Sequence, residues 1–278
     1  AYSTKILFDE ASFAINEGEH VGVIGPNGAG KTTLFKVLAG LEELDSGDFV
    51  KSRALRLGYL AQHDNWSPEA SVEEYLSKCV TPIWELKSFA RKMGLNEEVC
   101  TKPIMSVSGG YRMRCKLLYL IGQEPNLMLL DEPTNYLDLE TTLVLEHFLQ
   151  GYEGAFMLIS HDREFLRRTT DHIVEVESGD ITKYNGNIDD YFEQKDLLRS
   201  QLEARAMSLQ DKRKEVLDFV ARFGAKASKA KQAQSRLKSL DRMETIELKP
   251  IHVGASIKIP PPAHAGKSIA ELRNVDIG

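Results

Sequence analysis

Apolar residues in this chain fall into short runs and into helical spacings. His20-Val21-Gly22-Val23-Ile24, Leu57-Gly58-Tyr59-Leu60-Ala61, Leu127-Met128-Leu129-Leu130 and Phe156 to Ile159 are compact runs. The first, third and fourth read as strands, whereas Leu57 to Ala61 is an apolar run with no element assigned to it. His172 to Val176 and Ile181 to Tyr184, around Ser178-Gly179-Asp180, predict a hairpin. Leu34-Phe35-Lys36-Val37-Leu38 has helical spacing. Residues 1–60 are expected to give a small antiparallel β layer and a glycine loop, and residues 63–122 to be mostly helical. Core strands return over 125–190. The fold class expected is α/β with a mixed sheet.

After this the pattern changes. Leu202, Leu209, Val216 and Phe223 recur every seven residues, and Ala230, Ala233, Leu237 and Leu240 continue at spacings of three and four beyond Gly224. That predicts two helices folded into an antiparallel hairpin. Residues 195–222 as one helix would be about 40 Å long at roughly 1.5 Å per residue. Pro260-Pro261-Pro262 marks an extended connection.

Composition adds bounds. At roughly 150 residues per domain, 278 residues suggest about two domains. With 42% apolar residues the core needs no disulfide or structural metal. Cys79, Cys100 and Cys115 are widely spaced and form no CxxC, which fits a reducing cytosol and a cytoplasmic protein. No apolar window is long enough to span a membrane, and Ala1 to Lys5 lacks the apolar stretch of a secretory signal. The net charge is −6, yet residues 195–244 hold 13 Lys and Arg against 7 Asp and Glu. That local balance of +6 leaves −12 for the remainder. Arg222, Lys226, Lys229, Lys231 and Arg236, with small residues between them, would sit at the hairpin tip. They suit phosphate-chain contact, with strong salt dependence. A solvated hairpin kept soluble by its lysines is the plainer explanation from charge alone.

The chemistry begins at Gly25-Pro26-Asn27-Gly28-Ala29-Gly30-Lys31-Thr32-Thr33, placed between a strand and a helix. This fills GxxxxGK[ST], a phosphate-binding loop. Glycines let successive backbone N–H groups turn inward, and the helix adds its positive end. Lys31 supplies a cation for β- and γ-phosphates, and the Thr32 hydroxyl a ligand for Mg²⁺. About a hundred residues on, a strand ends in Asp131-Glu132-Pro133-Thr134. Asp131 would complete the Mg²⁺ shell, and Glu132 would orient or deprotonate an attacking water. A helix start capped by Asp131 or Thr134 is the structural alternative.

Two further segments carry a resemblance. Ser108-Gly109-Gly110-Tyr111-Arg112 resembles the signature loop of the ATP-binding-cassette (ABC) ATPases, and Ile159-Ser160-His161-Asp162 their switch-histidine motif. Asp131 to Asp138 resembles the Walker B segment running into the D-loop. Gln62 falls at the Q-loop position, and Tyr2 at that of an adenine-stacking aromatic. The resemblance implies ATP and Mg²⁺ as ligands, Glu132 as catalytic base, His161 on the γ-phosphate, and Gln62 in the metal and water shell. It also implies that Ser108, Gly109 and Gly110 act on a nucleotide held by another cassette. A helix from Met113 to Ile121 would follow, with Ser108 also serving as its N-cap. Val107 and Tyr111 depart from the leucine and glutamine common in transporters, and Tyr136 from the His frequent in the subfamily named next.

Three features are similar to the ABC-F subfamily of ribosome-associated ATPases. These are the extension Arg112-Met113-Arg114, the segment Lys183 to Tyr191 leading into a helical linker, and Gly266 to Val275, which resembles the first strand of another cassette. The resemblance implies an ABC ATPase domain over 1–190 (helical subdomain about 63–122) and a helical hairpin linker over 191–249. Residues 250–278 would be an extended connection and the start of a second ABC domain. The chain is then expected to be the first cassette of a longer tandem protein, able to bind nucleotide but needing its partner cassette to hydrolyse it. Implied partners are that cassette, the ribosome, tRNA and rRNA, with no membrane. A transporter ATPase subunit and a tandem cassette acting on DNA are the alternatives. Only 45 residues separate Gln62 from Ser108, room for the ordinary helical subdomain alone. His63, Trp66, Trp84, Met128 and Met157 are read as packing or surface.

Overall fold

A computed structural model describes residues 7–9, 11–60, 67, 69–223, 235 and 238. The chain divides into two compact units, 1–198 and 199–278. In chain order the elements are β1 (His20–Ile24), α1 (Lys31–Leu38), β2 (Leu57–Leu60), α2 (Val72–Leu76), α3 (Ile83–Lys92) and α4 (Glu97–Thr101). They continue with α5 (Gly109–Gly122), β3 (Leu127–Asp131), α6 (Leu139–Gln150), β4 (Ala155–Ile159), α7 (Arg163–Thr169), β5 (His172–Glu177), β6 (Asp180–Asn185) and α8 (Ile188–Phe223).

The six strands form one sheet in the order β2-β3-β4-β1-β5-β6. All neighbours are parallel except the β5–β6 hairpin. This is the mixed α/β sheet that the buried runs imply, and both of its faces are covered. Val21, Val23, Leu129, Met157, Val174 and Val176 pack with Leu34 and Phe35 of α1 on one face. Met128, Leu130, Phe156, Leu158 and Ile173 pack on the other, with α5, α6 and α7 residues and with Ile188 and Tyr191 of α8. Strand side chains alternate between faces, so one run feeds both cores. A separate cluster around Leu76, Leu86, Leu95, Ile104 and Leu118 holds the helical region together.

The hairpin turns at Ser178 (φ 54°) and Gly179 (φ 90°), two left-handed residues joining strands that pair from His172↔Asn185 to Glu177↔Asp180. Such a loop matches the twist of the strands it joins. The expected antiparallel layer within residues 1–60 is not found among the described residues. β1 and β2 both join the parallel sheet, and residues 39–56 contain no strand. Leu41, Leu44 and Val50 are exposed there, so an apolar pattern without a partner edge does not become a strand. Helix α8 starts at Ile188, ahead of the expected 191, because Asn187 Oδ1 accepts from the N–H groups of Asp189 (2.8 Å) and Asp190 (3.2 Å).

In the second unit α8 has Leu209 and Val216 half-buried, Leu202 more exposed and Arg222 exposed. The hairpin positions Gly224, Lys226, Lys229, Lys231, Arg236 and the Ala230 to Leu240 seam lie outside the described residues, as does the expected start of a second cassette. Among the described residues no helix is long and apolar enough to cross a membrane, and Cys79, Cys100 and Cys115 are free thiols.

Candidate functional site

The phosphate loop leaves the C-terminal end of β1, a central strand, and runs into α1. Its conformation depends on glycine at one position above all. Gly25 has φ 149°, and a Cβ there would collide with the Val176 carbonyl of β5. The loop therefore lies closer to the sheet than any side chain allows. α1 begins at Lys31 with Gly30 as N-cap and no side-chain cap, so its first N–H groups face outward without a competing oxygen from the cap residue. The Lys31 ammonium donates to the carbonyls of Gly25 (2.8 Å) and Pro26 (3.1 Å). Burial lowers it from its usual value, and the Glu132 and Asp131 carboxylates push it back up.

A cavity of about 450 Å³ is lined by Asn27, Gly28, Gly30, Lys31, Thr32 and Thr33 together with Asp131, Glu132 and His161, with Leu7 and Ile159 completing the lining. Pro26 takes part through its carbonyl, and Ala29 packs under the loop. Asp131 is the last residue of β3 and only 2% exposed. Neither Asp131 nor Thr134 caps a helix; Asp138 does, accepting from Thr141 N at 2.9 Å. Glu132 has φ 52° and is 8% exposed, and its N–H donates to Ile159 O at 3.0 Å. A non-glycine residue in this region is strained, at a cost of order 1–3 kcal/mol. Burial raises the Glu132 carboxyl above its ordinary range, partly countered by His161 and Lys31. His161 Nε2 lies 3.3 Å from Glu132 Oε1, an ion-pair distance without hydrogen-bond alignment.

These residues suit a nucleoside triphosphate with its divalent ion. Among the described residues none donates a hydrogen bond to the buried Glu132 Oε1, which leaves it able to accept one from a water in the cavity. Among the same residues no group of three or more His, Cys, Asp or Glu forms a self-sufficient metal cage. A divalent ion bound with a nucleotide here would take one hydroxyl, one carboxylate, water and phosphate oxygens. Thr32 and Asp131, both lining the cavity, are the residues that would supply that hydroxyl and that carboxylate.

Ser108, Gly109 and Gly110 do not line this cavity. Ser108 caps α5, its Oγ accepting from Tyr111 N at 3.5 Å, so the helix opens at Gly109, four residues before the expected Met113. Gly110 packs against the Tyr136 carbonyl, and Tyr136 itself has φ 69° and is 81% exposed. Tyr2 and Gln62 lie outside the described residues. Sequence reasoning missed one pairing here: Arg114 on α5 bonds Asp138 and donates to Met93 O at 3.1 Å. Both residues sit in motifs with other meanings, so nothing local announces that they meet.

A sequence family described as "ABC transporter" matches residues 8–135, and a second of the same description matches residues 174–258. The chain is 32% identical over its whole length to an uncharacterized ABC transporter ATP-binding protein, YfmM of Bacillus subtilis, spanning 62% of that protein. It is 28% identical over its whole length to ABC transporter F family member 5 of Arabidopsis thaliana, spanning 47% of it. The chain thus covers less than two thirds of either relative. Among solved structures, the archaeal ribosome recycling factor aABCE1, in complex with the ribosomal stalk protein aP1, matches with TM-score 0.52 and 28% identity. That match covers 58% of this chain and 32% of the other.

Proposed function

The chain belongs to the ABC ATPases and carries a cassette of the ABC-F type, and on that premise we propose that it binds ATP with Mg²⁺ in the Lys31 cavity and hydrolyses it in work on the ribosome. The observation that carries this reading is the convergence of Lys31, Thr32, Asp131, Glu132 and His161 on one cavity. Bound Mg²⁺ supplies charge neutralisation and a template for the phosphates. The loop amides and Lys31 would hold the phosphate chain; Thr32 and Asp131 would hold the metal, with Gln62, outside the described residues, assigned to the metal and water shell by the resemblance. Glu132 takes the proton of the attacking water at its carboxylate, and its raised affinity for a proton suits that task. His161 steadies that carboxylate from 3.3 Å and reaches the γ-phosphate. Tyr2, outside the described residues, is assigned to the base by the resemblance alone. Ser108, Gly109 and Gly110 face a nucleotide on a second cassette, and their separation from the Lys31 cavity supports that division.

The ribosomal assignment draws on the Arg112-Met113-Arg114 extension, the F-family relative, the likeness to a ribosome recycling factor's cassette, and the basic stretch of residues 195–244. In this reading the linker touches tRNA and rRNA through Arg222, Lys226, Lys229, Lys231 and Arg236, in the cytoplasm. The test is Glu132→Gln in the full-length protein, sedimented with ribosomes with and without MgATP. Hydrolysis should fall on the order of 10²- to 10⁴-fold while ATP-bound protein accumulates on ribosomes. Unchanged turnover would refute the base assignment. Absence from ribosomes at every nucleotide state would refute the ribosomal one.

A further inference from the structure

Strand β5 stands between the nucleotide layer and the first turns of α8. Val174 and Val176 pack with Phe35 on the α1 face, whereas Ile173 packs with the cluster containing Ile188 and Tyr191. Glu175 lies in register with Ile24, the last residue of β1 before the phosphate loop, and the following carbonyl abuts Gly25. On the α8 side the Glu175 carboxylate, in a residue only 8% exposed, accepts from Tyr191 Oη at 2.6 Å and Tyr184 Oη at 3.3 Å. It also pairs with Lys195, which reaches Glu177 at 3.2 Å. A buried strand carboxylate with this many donors is a charge that cannot lose a partner cheaply.

A second tie comes from the switch-histidine segment. Two residues after His161, Arg163 bonds Asp189 at 2.6 Å, and its guanidinium lies 4.5 Å over the Phe192 ring. Arg167 approaches the same carboxylate at 3.7 Å. Both partners of the Arg163 pair are more than a third exposed, so this tie is weak and can re-form in another arrangement. One end of the α8 start is thus anchored to the strand beside the phosphate loop through the buried Glu175 and Tyr191, with the 40%-exposed Lys195 closing the set. The other is held loosely by the helix that follows His161.

We propose that the first turns of α8 form a joint that transmits the state of the Lys31 cavity to the helix, with Glu175 and Lys195 as its pivot and Arg163 with Asp189 as its lever. These are positioning residues acting through the helix, and the proposal rests on the nucleotide reading above. A ligand can move this joint only through contacts that differ between two arrangements, and the segment from His161 to Arg163 is where the cavity and the lever meet.

Amide hydrogen exchange over residues 188–198, with and without MgATP, tests it, with MgATP binding measured in parallel. In the parent chain MgATP should change exchange there by about fivefold or more, the low end of typical coupling between sites. Lys195→Met and Asp189→Asn should each remove that nucleotide-dependent difference while MgATP still binds. Lys195→Arg should retain it, which a role confined to helix stability does not require. Parent protein that binds MgATP with no change in α8 would overturn the joint alone. So would a difference that survives in both variants. Failure of the parent to bind MgATP would overturn the nucleotide reading and the joint together.

Discussion

Glu132 holds a left-handed backbone, a buried carboxyl and a histidine partner at the end of the β3 strand. Burial raises its proton affinity above the ordinary 4.5, so the folded state binds this proton more tightly than the unfolded chain does. Its stabilising contribution is complete below the ordinary value and is lost as pH rises through the folded value. At neutral pH the buried charge therefore opposes folding, and Glu132→Gln should melt at higher temperature than the parent without nucleotide. The gap should close as pH falls toward 4.5, the ordinary value; a constant gap, or none, in thermal melts across that range would contradict the electrostatic account. That Lys31, Asp131 and Glu132 line one cavity was legible in the sequence because strand, loop and helix follow one another without interruption. Arg114 and Asp138 were not legible as a pair, since they stand 24 positions apart and each sits in a motif with its own meaning.

Among the elements, the phosphate loop depends on its contact with β5. Gly25→Ala places a Cβ against the Val176 carbonyl and demands a φ that side chains resist. The substitution should destabilise the fold by about 1–3 kcal/mol in denaturant melts and weaken nucleotide binding beyond what that loss explains. A neutral result on both would mean the loop is looser than the geometry indicates. The buried strands were readable because continuous apolar runs have few alternatives, and the Ser178-Gly179 turn because two left-handed positions suit it. Residues 39–56 misled: Leu41, Leu44 and Val50 carry apolar character without a sheet edge to receive it. The start of α8 was misplaced because Gly186-Asn187 reads as a turn until Asn187 is seen to cap the helix. Glu175 was overlooked although a carboxylate inside an apolar strand run is a visible irregularity, one that signals a buried partner set.

For the whole molecule, charge is divided between an acidic cassette and a basic stretch over residues 195–244. Long-range attraction to a polyanion then belongs to that stretch, since exposed charges are screened within about 10 Å at ordinary salt. Reversing Lys226, Lys229 and Lys231 together should weaken ribosome association and flatten its dependence on salt by about one unit of log–log slope per lost phosphate contact. MgATP binding should survive. Sedimentation that is indifferent to the triple reversal would remove nucleic-acid contact from that segment.

The claim on which these scales converge is that the cavity between Lys31 and Glu132 receives a nucleoside triphosphate with its metal. Calorimetric titration of MgATP into the chain measures this directly, with Lys31→Ala alongside. One molecule should bind per chain, and loss of the ammonium should weaken it about 10- to 100-fold, the worth of a hydrogen bond to a charged group. No heat of binding in the parent, or equal affinity in the variant, would contradict the account.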